Sequence, residues 1–233
     1  MIRLEHVVLA SPEQMKFIIE GMRNLMNSWK KTDSGYGCDS GLCSAPCAFS
    51  PQWCGNTPRY VLGENDRSLM QRLSKAGTDF MRMLPVYVRI TAPLYWWKEF
   101  DTYKVGTVAN ICSTIHKIQD KEFTMDDFSC EHLNRIGTSS LWDIIDILNL
   151  DRKLYLNGGD YKGEHYAPKD KQVWWQMIQL LPSSYNQTRN VMMNYEVLVN
   201  IYKSRKDHKL DEWRDFCKWI EELPYSELIT WRY

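Results

Sequence analysis

Residues 2–9 alternate loosely between β-branched and polar positions, which predicts a strand. Ser11-Pro12-Glu13-Gln14 then supplies a capping box with proline at the first helical position. Met15, Ile18, Ile19, Met22, Leu25 and Met26 follow at three- and four-residue spacing, so a helix with one apolar stripe is expected to run to near Trp29, where Lys30 and Lys31 suit the negative end of its dipole. From 32 to 65 the chain is rich in Gly, Ser, Pro and Cys without periodicity, the pattern of a long irregular excursion. Leu69, Met70 and Leu73 predict a second helix from about Asp66, with Gly77 as its C-terminal cap. In 84–93, Val86, Val88 and Ile90 alternate with Tyr87, Arg89 and Thr91, a strand with one buried face. Helical patterns cover 93–100, part of 105–118, 140–150, 170–180, 194–203 and 210–222. The expectation is an α+β chain, helix dominant, forming one domain over 1–233 with a Cys-rich irregular insertion at about 32–65.

Composition narrows the function classes. Lys plus Arg and Asp plus Glu are each 29 of 233 residues, so the formal charge is zero and the broad basic surface of non-specific nucleic-acid binding is absent. Hydrophobic residues are 44% and charged residues 25%, as in a folded globular protein, and no stretch reaches the roughly 20 apolar residues of a membrane helix. The first residues, MIRLEHVVLASPEQ, carry neither an apolar signal core nor a small-residue cleavage site, so the cytoplasm is the expected compartment. Ten Trp and 13 Tyr exceed what one core usually uses, and flat ligands or subunit interfaces would both consume them.

Three stretches could carry chemistry. Cys38, Cys43, Cys47 and Cys54 fall in one loop, within reach of a zinc or iron–sulfur site, although neither a Cys-x2-Cys pair nor a common ferredoxin spacing is present; the alternative is reduced cysteines packed in a loop. The run 93–118 mixes Lys98, Glu99, Asp101, Tyr103, Lys104, Thr107, Asn110 and Ser113 with a Trp pair, groups able to hold a phosphate and stack on a ring; a solvated amphipathic helix is the plainer reading. In the helix from Asn194, the residues Leu198, Ile201, Tyr202 and Arg205 share a face, which holds Arg205 inward and requires an anionic partner, either a buried acid or a ligand. His208 reads as a surface or helix-end histidine.

Taken together, 65–219 resembles the flavin-dependent thymidylate synthases in order and spacing. The helix at 66–75, Gly77-Thr78, the strand 86–91, Ala92-Pro93, Tyr95-Trp96-Trp97 and the turn 107–113 follow the family order, as do Leu181-Pro182, Arg189, Asn194, Asn200 and Arg205, with Glu212 and Trp213 after them. The family's Arg-His-Arg position holds Thr102-Tyr103-Lys104 or, in a shifted alignment, Tyr103-Lys104-Val105, and its His-rich segment is Ala76-Gly77-Thr78-Asp79-Phe80 without a histidine. The resemblance implies a thymidylate-synthase-like fold, an antiparallel sheet with a large helical part, and methyl transfer from methylenetetrahydrofolate to C5 of dUMP with FAD supplying the hydride. By that resemblance Arg205 orients or polarises the pyrimidine, and Arg189 and Ser113 hold its phosphate. The resemblance likewise implies that Thr78, Lys98, Tyr103, Lys104, Thr107, Asn194 and Asn200 face the flavin cofactor, in sites between subunits of a homotetramer. Two rivals follow from the departures: a pyrimidine-nucleotide enzyme of the same fold without FAD, using folate or metal chemistry, and a non-catalytic nucleotide-binding or assembly protein.

Overall fold

The computed structural model describes residues 2–38, 58–77, 79–111 and 117–230, the side chains of Cys38, Pro58 and Arg59 excepted. The chain opens with β1 (Arg3–Leu9) and α1 (Pro12–Asn24). The capping box forms: the Ser11 hydroxyl accepts from the Gln14 N–H at 3.2 Å, and the Gln14 side chain accepts from the Ser11 N–H at 2.8 Å. The helix ends at Asn24, five residues before Trp29. Asn27 adopts a positive φ of 45°, and Trp29 donates its indole N–H back to Asn24 Oδ1 at 2.6 Å, so a short 3-10 turn at Trp29–Lys31 replaces the last helical turn.

The segment 32–65 is not irregular throughout. β2 (Gly35–Cys38) pairs antiparallel with β3 (Pro58–Val61), and the Tyr36 and Tyr60 rings meet edge to face at 5.6 Å. α2 (Glu64–Lys75) begins earlier than its apolar pattern because a distant residue caps it: the Asp33 carboxylate accepts from the N–H groups of Asn65 (2.9 Å) and Asp66 (3.1 Å). A Cβ on Gly63 would lie 2.1 Å from Asp33 Cγ, so only glycine admits this approach. Asp66 itself is buried and takes Arg23 Nε at 2.6 Å, the Thr32 hydroxyl at 2.7 Å and the Ser34 hydroxyl at 2.5 Å. Burial alone would push its carboxyl up, but the hydrogen bonds from Ser34, Thr32 and Arg23 outweigh burial and hold its pKa below the ordinary value.

After α3 (Phe80–Met83) comes β4 (Pro85–Pro93), in which Val86, Val88 and Ile90 are buried as expected; Thr91 is buried too, because its hydroxyl pairs with that of Thr188 at 2.7 Å. α4 (Leu94–Phe100) follows. Of the stretch 105–118, in part of which a helix is expected, 108–111 form β5 (Val108–Ile111): Gly106 takes a φ of +79°, which a right-handed helix does not accept, and β-branched Thr107 and Val108 favour extension; 112–116 lie outside the described residues. α5 (Arg135–Asn157) is capped by Asn134 at its start and by Gly158 in positive φ at its end. β6 (Gly159–Tyr161) and β7 (Glu164–Tyr166) form a hairpin whose two loop residues, Lys162 and Gly163, both have positive φ, the primed-turn geometry. α6 (Lys171–Leu180) starts at the Asp170 cap. The polar run 186–194 then forms β8 (Asn186–Asn194), and α7 (Tyr195–Arg205), α8 (Asp211–Glu222) and α9 (Glu227–Thr230) complete the chain.

The fold is α+β. Strands β1, β4, β8 and β5 lie in that order in one sheet, and the sheet is antiparallel with a large helical part. The chain divides into two compact units. The first comprises Met1–Leu4, Arg89–Thr102 and Asn110–Asn190; its core joins Phe123 and Phe128 to Leu141, Ile145 and Leu148 of α5 and Met177 of α6. The second comprises Glu5–Val88, Tyr103–Ala109 and Val191–Tyr233; there α7 packs on α8 and α9, α9 on α2, and α1 on α3.

Candidate functional site

In the second unit, α7 positions Arg205. The Asn194 side chain caps the helix by accepting from the Val197 N–H at 3.0 Å, and Leu198, Ile201 and Tyr202 bury the stripe that ends at Arg205. Arg205 is half-buried. Its Nε donates to the Tyr103 hydroxyl at 3.0 Å, and its guanidinium lies 4.7 Å over the ring of Trp213, which is 0% exposed. The Tyr103 and Trp213 rings meet at 6.0 Å and 65°, so one edge and one face of the guanidinium are fixed by aromatic groups. These aromatic neighbours fix the plane in which this cation meets a carbonyl or an anion.

The turn that carries Tyr103 sits against the start of the same helix. A Cβ on Gly106 would lie 3.0 Å from Asn194 Nδ2 and 3.1 Å from Val197 Cγ2, so the close approach requires glycine; sequence reading passed over Gly106, although a Val-Gly-Thr step within an expected helix was its signal. The Thr107 hydroxyl oxygen is buried with no hydrogen-bond partner among the described residues. Lys104 is exposed beside it in sequence. A buried hydroxyl without a partner, an amide beside Gly106 and an exposed ammonium are donor types that suit an anionic oxygen, such as those of a dinucleotide diphosphate. Asn200 is exposed on α7.

Arg189, in the first unit, is held differently. It is 7% exposed; its Nε donates to Gln187 Oε1 at 2.9 Å, one terminal nitrogen donates to Asp101 Oδ1 at 2.7 Å, and the guanidinium lies 4.1 Å over Trp97. Trp97 in turn donates its indole N–H to the Gln187 carbonyl at 2.9 Å. The expectation that the Trp pair of this stretch stacks on a ligand is corrected here: Trp96, Trp97 and Phe100 are buried and spend their ring faces on one another, Trp96 stacking on Phe100 at 5.0 Å. Lys98 is exposed on α4.

Thr78, Ser113, Cys43, Cys47 and Cys54, and the side chain of Cys38, lie outside the described residues. Among the described residues no group of three or more His, Cys, Asp or Glu could hold a metal ion. Cys217 is buried, and burial pushes its thiol up to about 12, so it is a packed hydrophobe and not a nucleophile. No described helix is long and apolar enough to cross a membrane.

No protein-family model and no curated protein matches the chain. Solved structures do. The flavin-dependent thymidylate synthase ThyX of Helicobacter pylori, complexed with FAD and dUMP, aligns at a TM-score of 0.60 over 98% of this chain and 97% of that one, with 14% identity. This chain has the flavin-dependent thymidylate synthase fold. A second structure of the Helicobacter pylori enzyme with FAD and dUMP aligns equally at 0.60 and 14% identity, over 98% and 96% of the two chains. PolB, a UMP/dUMP methylase of Streptomyces cacaoi bound with 5-Br UMP, aligns at 0.56 with 11% identity over 99% and 94%. Nearly the whole thymidylate synthase fold is therefore present, on a sequence that keeps few of the same side chains.

Proposed function

We propose that the protein is a pyrimidine-nucleotide methyltransferase acting at C5 of dUMP, with methylenetetrahydrofolate as carbon donor and FAD as cofactor. The observation that carries the reading is Arg205, clamped between Tyr103 and Trp213 at the end of the helix that Asn194 opens, on a fold whose solved examples hold FAD and dUMP in one case and 5-Br UMP in another. Arg205 donates to a pyrimidine carbonyl and draws electron density toward it, which orients the base and prepares C5 to take the methylene group. Lys104, Thr107 and Asn194 bind the diphosphate of the cofactor, and Tyr103 fixes Arg205 at the other end of the helix. Bound reduced FAD would supply the hydride that converts the methylene to a methyl group. Thr78, Lys98 and Asn200 on the cofactor side, Ser113 and Arg189 at the phosphate, a homotetrameric assembly and a cytoplasmic location complete the proposal. Arg189 already donates to Gln187 and Asp101, partners with which a phosphate would compete.

A second reading rests on Tyr103. It stands within the stretch where the resemblance places Arg-His-Arg, and its hydroxyl is committed to Arg205, so the chain brings fewer fixed cations to a flavin. A pyrimidine-nucleotide enzyme without FAD accounts for that, with Cys38, Cys43, Cys47 and Cys54 as a zinc or iron–sulfur site. Incubation with dUMP, methylenetetrahydrofolate and dithionite-reduced FAD separates the readings: dTMP formed only when FAD is present supports the first. Nucleotide binding in a colourless protein that makes no dTMP under these conditions supports the second or a binding role, and elemental analysis for zinc and iron divides those two.

A further inference from the structure

A cavity of about 290 Å3 lies within the first unit and contains none of the residues assigned above. Adjacent strands of the sheet supply its floor, with Arg3 on β1, Thr91 on β4 and Thr188 on β8; Lys117 and Lys121 stand at its wall, and Phe123 closes an apolar side. Among the described residues its lining carries three cations, Arg3, Lys117 and Lys121, against the two carboxylates of Asp126 and Asp127. Lys121 is bonded to Asp127, and Lys117 pairs with Asp120 at 3.1 Å, whereas Arg3 has no carboxylate partner among the described residues.

The hydroxyl pair on the floor adds a donor. Thr91 and Thr188 share one hydrogen bond of 2.7 Å, and each hydroxyl has a single proton, so one proton lies between the two oxygens and the other must find an acceptor elsewhere. A guanidinium fork, an ammonium and a hydroxyl proton around one polar cavity are the donors that recognise a phosphate dianion. The apolar wall at Phe123 and a volume near the lower end of small-ligand sites leave room for a compact organic body.

We propose that this cavity binds a small phosphate monoester, its phosphate held by Arg3, Lys117 and the Thr91–Thr188 pair. The site is independent of the methyltransferase reading, since it uses neither Arg205 nor Arg189. The test is calorimetric titration of the full chain with inorganic phosphate and with ribose 5-phosphate. Binding of both is expected, with ribose 5-phosphate the tighter. Arg3→Ala and Lys117→Ala, at exposed positions that leave the core intact, should each weaken the two ligands by about tenfold or more, and Thr188→Val by less. Arg205→Ala should change neither affinity. The proposal is overturned if neither ligand binds at tens of millimolar. It is equally overturned if Arg3→Ala and Lys117→Ala bind as wild type, or if Arg205→Ala alone abolishes binding, which would assign the phosphate to the other site. Loss of dUMP turnover in Arg205→Ala with phosphate binding retained separates the two sites.

Discussion

The same sequence logic singles out Arg189 and Arg205, and the fold treats them differently. Both guanidiniums lie over a tryptophan ring, Arg189 over Trp97 at 4.1 Å and Arg205 over Trp213 at 4.7 Å. Arg189 meets a carboxylate and a side-chain amide and is almost wholly removed from water, so it braces β8 against the end of α4, and a phosphate would meet it only in competition with those partners. Arg205 bonds a phenol and keeps an accessible surface. An aromatic platform orients a cation in either case; what surrounds its edge decides whether it serves the fold or a ligand.

The buried Arg23–Asp66 pair marks the structural extreme against which both can be measured. Asp66→Ala should cost about 3 to 5 kcal/mol in urea unfolding, because it leaves Arg23 buried without its counter-charge and Thr32 and Ser34 without their acceptor. The pH dependence has a fixed sign. A carboxyl held below its ordinary value of 3.8 stabilises the folded state fully above that value, and its contribution is lost as pH falls through the lower folded value. Acid unfolding of the wild type should steepen in that window, and Asp66→Ala should remove the steepening.

Arg189→Ala should follow at about 2 to 3 kcal/mol of lost stability, reduced from the buried-pair figure because Asp101 is 52% exposed and rehydrates. Dichroism-monitored melting would register it. A stability change below about 0.5 kcal/mol would break the contrast and return Arg189 to the ligand. Arg205→Ala should instead weaken dUMP binding by about 1.5 to 3 kcal/mol, roughly tenfold to 150-fold, while moving the melting curve less than Arg189→Ala does. Unchanged dUMP affinity by calorimetry would remove Arg205 from the site. The smallest effect is expected for Tyr103→Phe, which keeps the ring but removes the acceptor of the Arg205 Nε–H: about 0.5 to 1.5 kcal/mol in dUMP affinity, read as a rise in KM. If that variant equals Arg205→Ala, the phenol itself contacts the ligand.

Much of the local structure is legible along the chain. The Ser11 capping box, the Gly77 stop, the alternation in β4 and the Asn194 helix are short-range patterns in which neighbouring residues satisfy one another, and each forms where it is expected. The early end of α1 and the strand at Val108–Ile111 turn on single backbone angles at Asn27 and Gly106, which residue periodicity does not encode. β8 carries little hydrophobic alternation in its first half, because Thr188 and Arg189 there are satisfied by partners 97 and 88 residues away.

The order of elements, the helix caps and the choice of two arginines as candidates all follow from the linear pattern of residues. The role of each arginine follows from the folded arrangement instead. Asp101 reaches Arg189 across 88 positions and Tyr103 reaches Arg205 across 102. The same holds for Asp33, which caps α2 from more than 30 residues before it, and for Asp66, whose donors come from Arg23, Thr32 and Ser34. A charged side chain announces in sequence that it needs a partner once buried, but which partner it finds depends on elements brought together by burying apolar faces, and that choice is made only when the chain has folded.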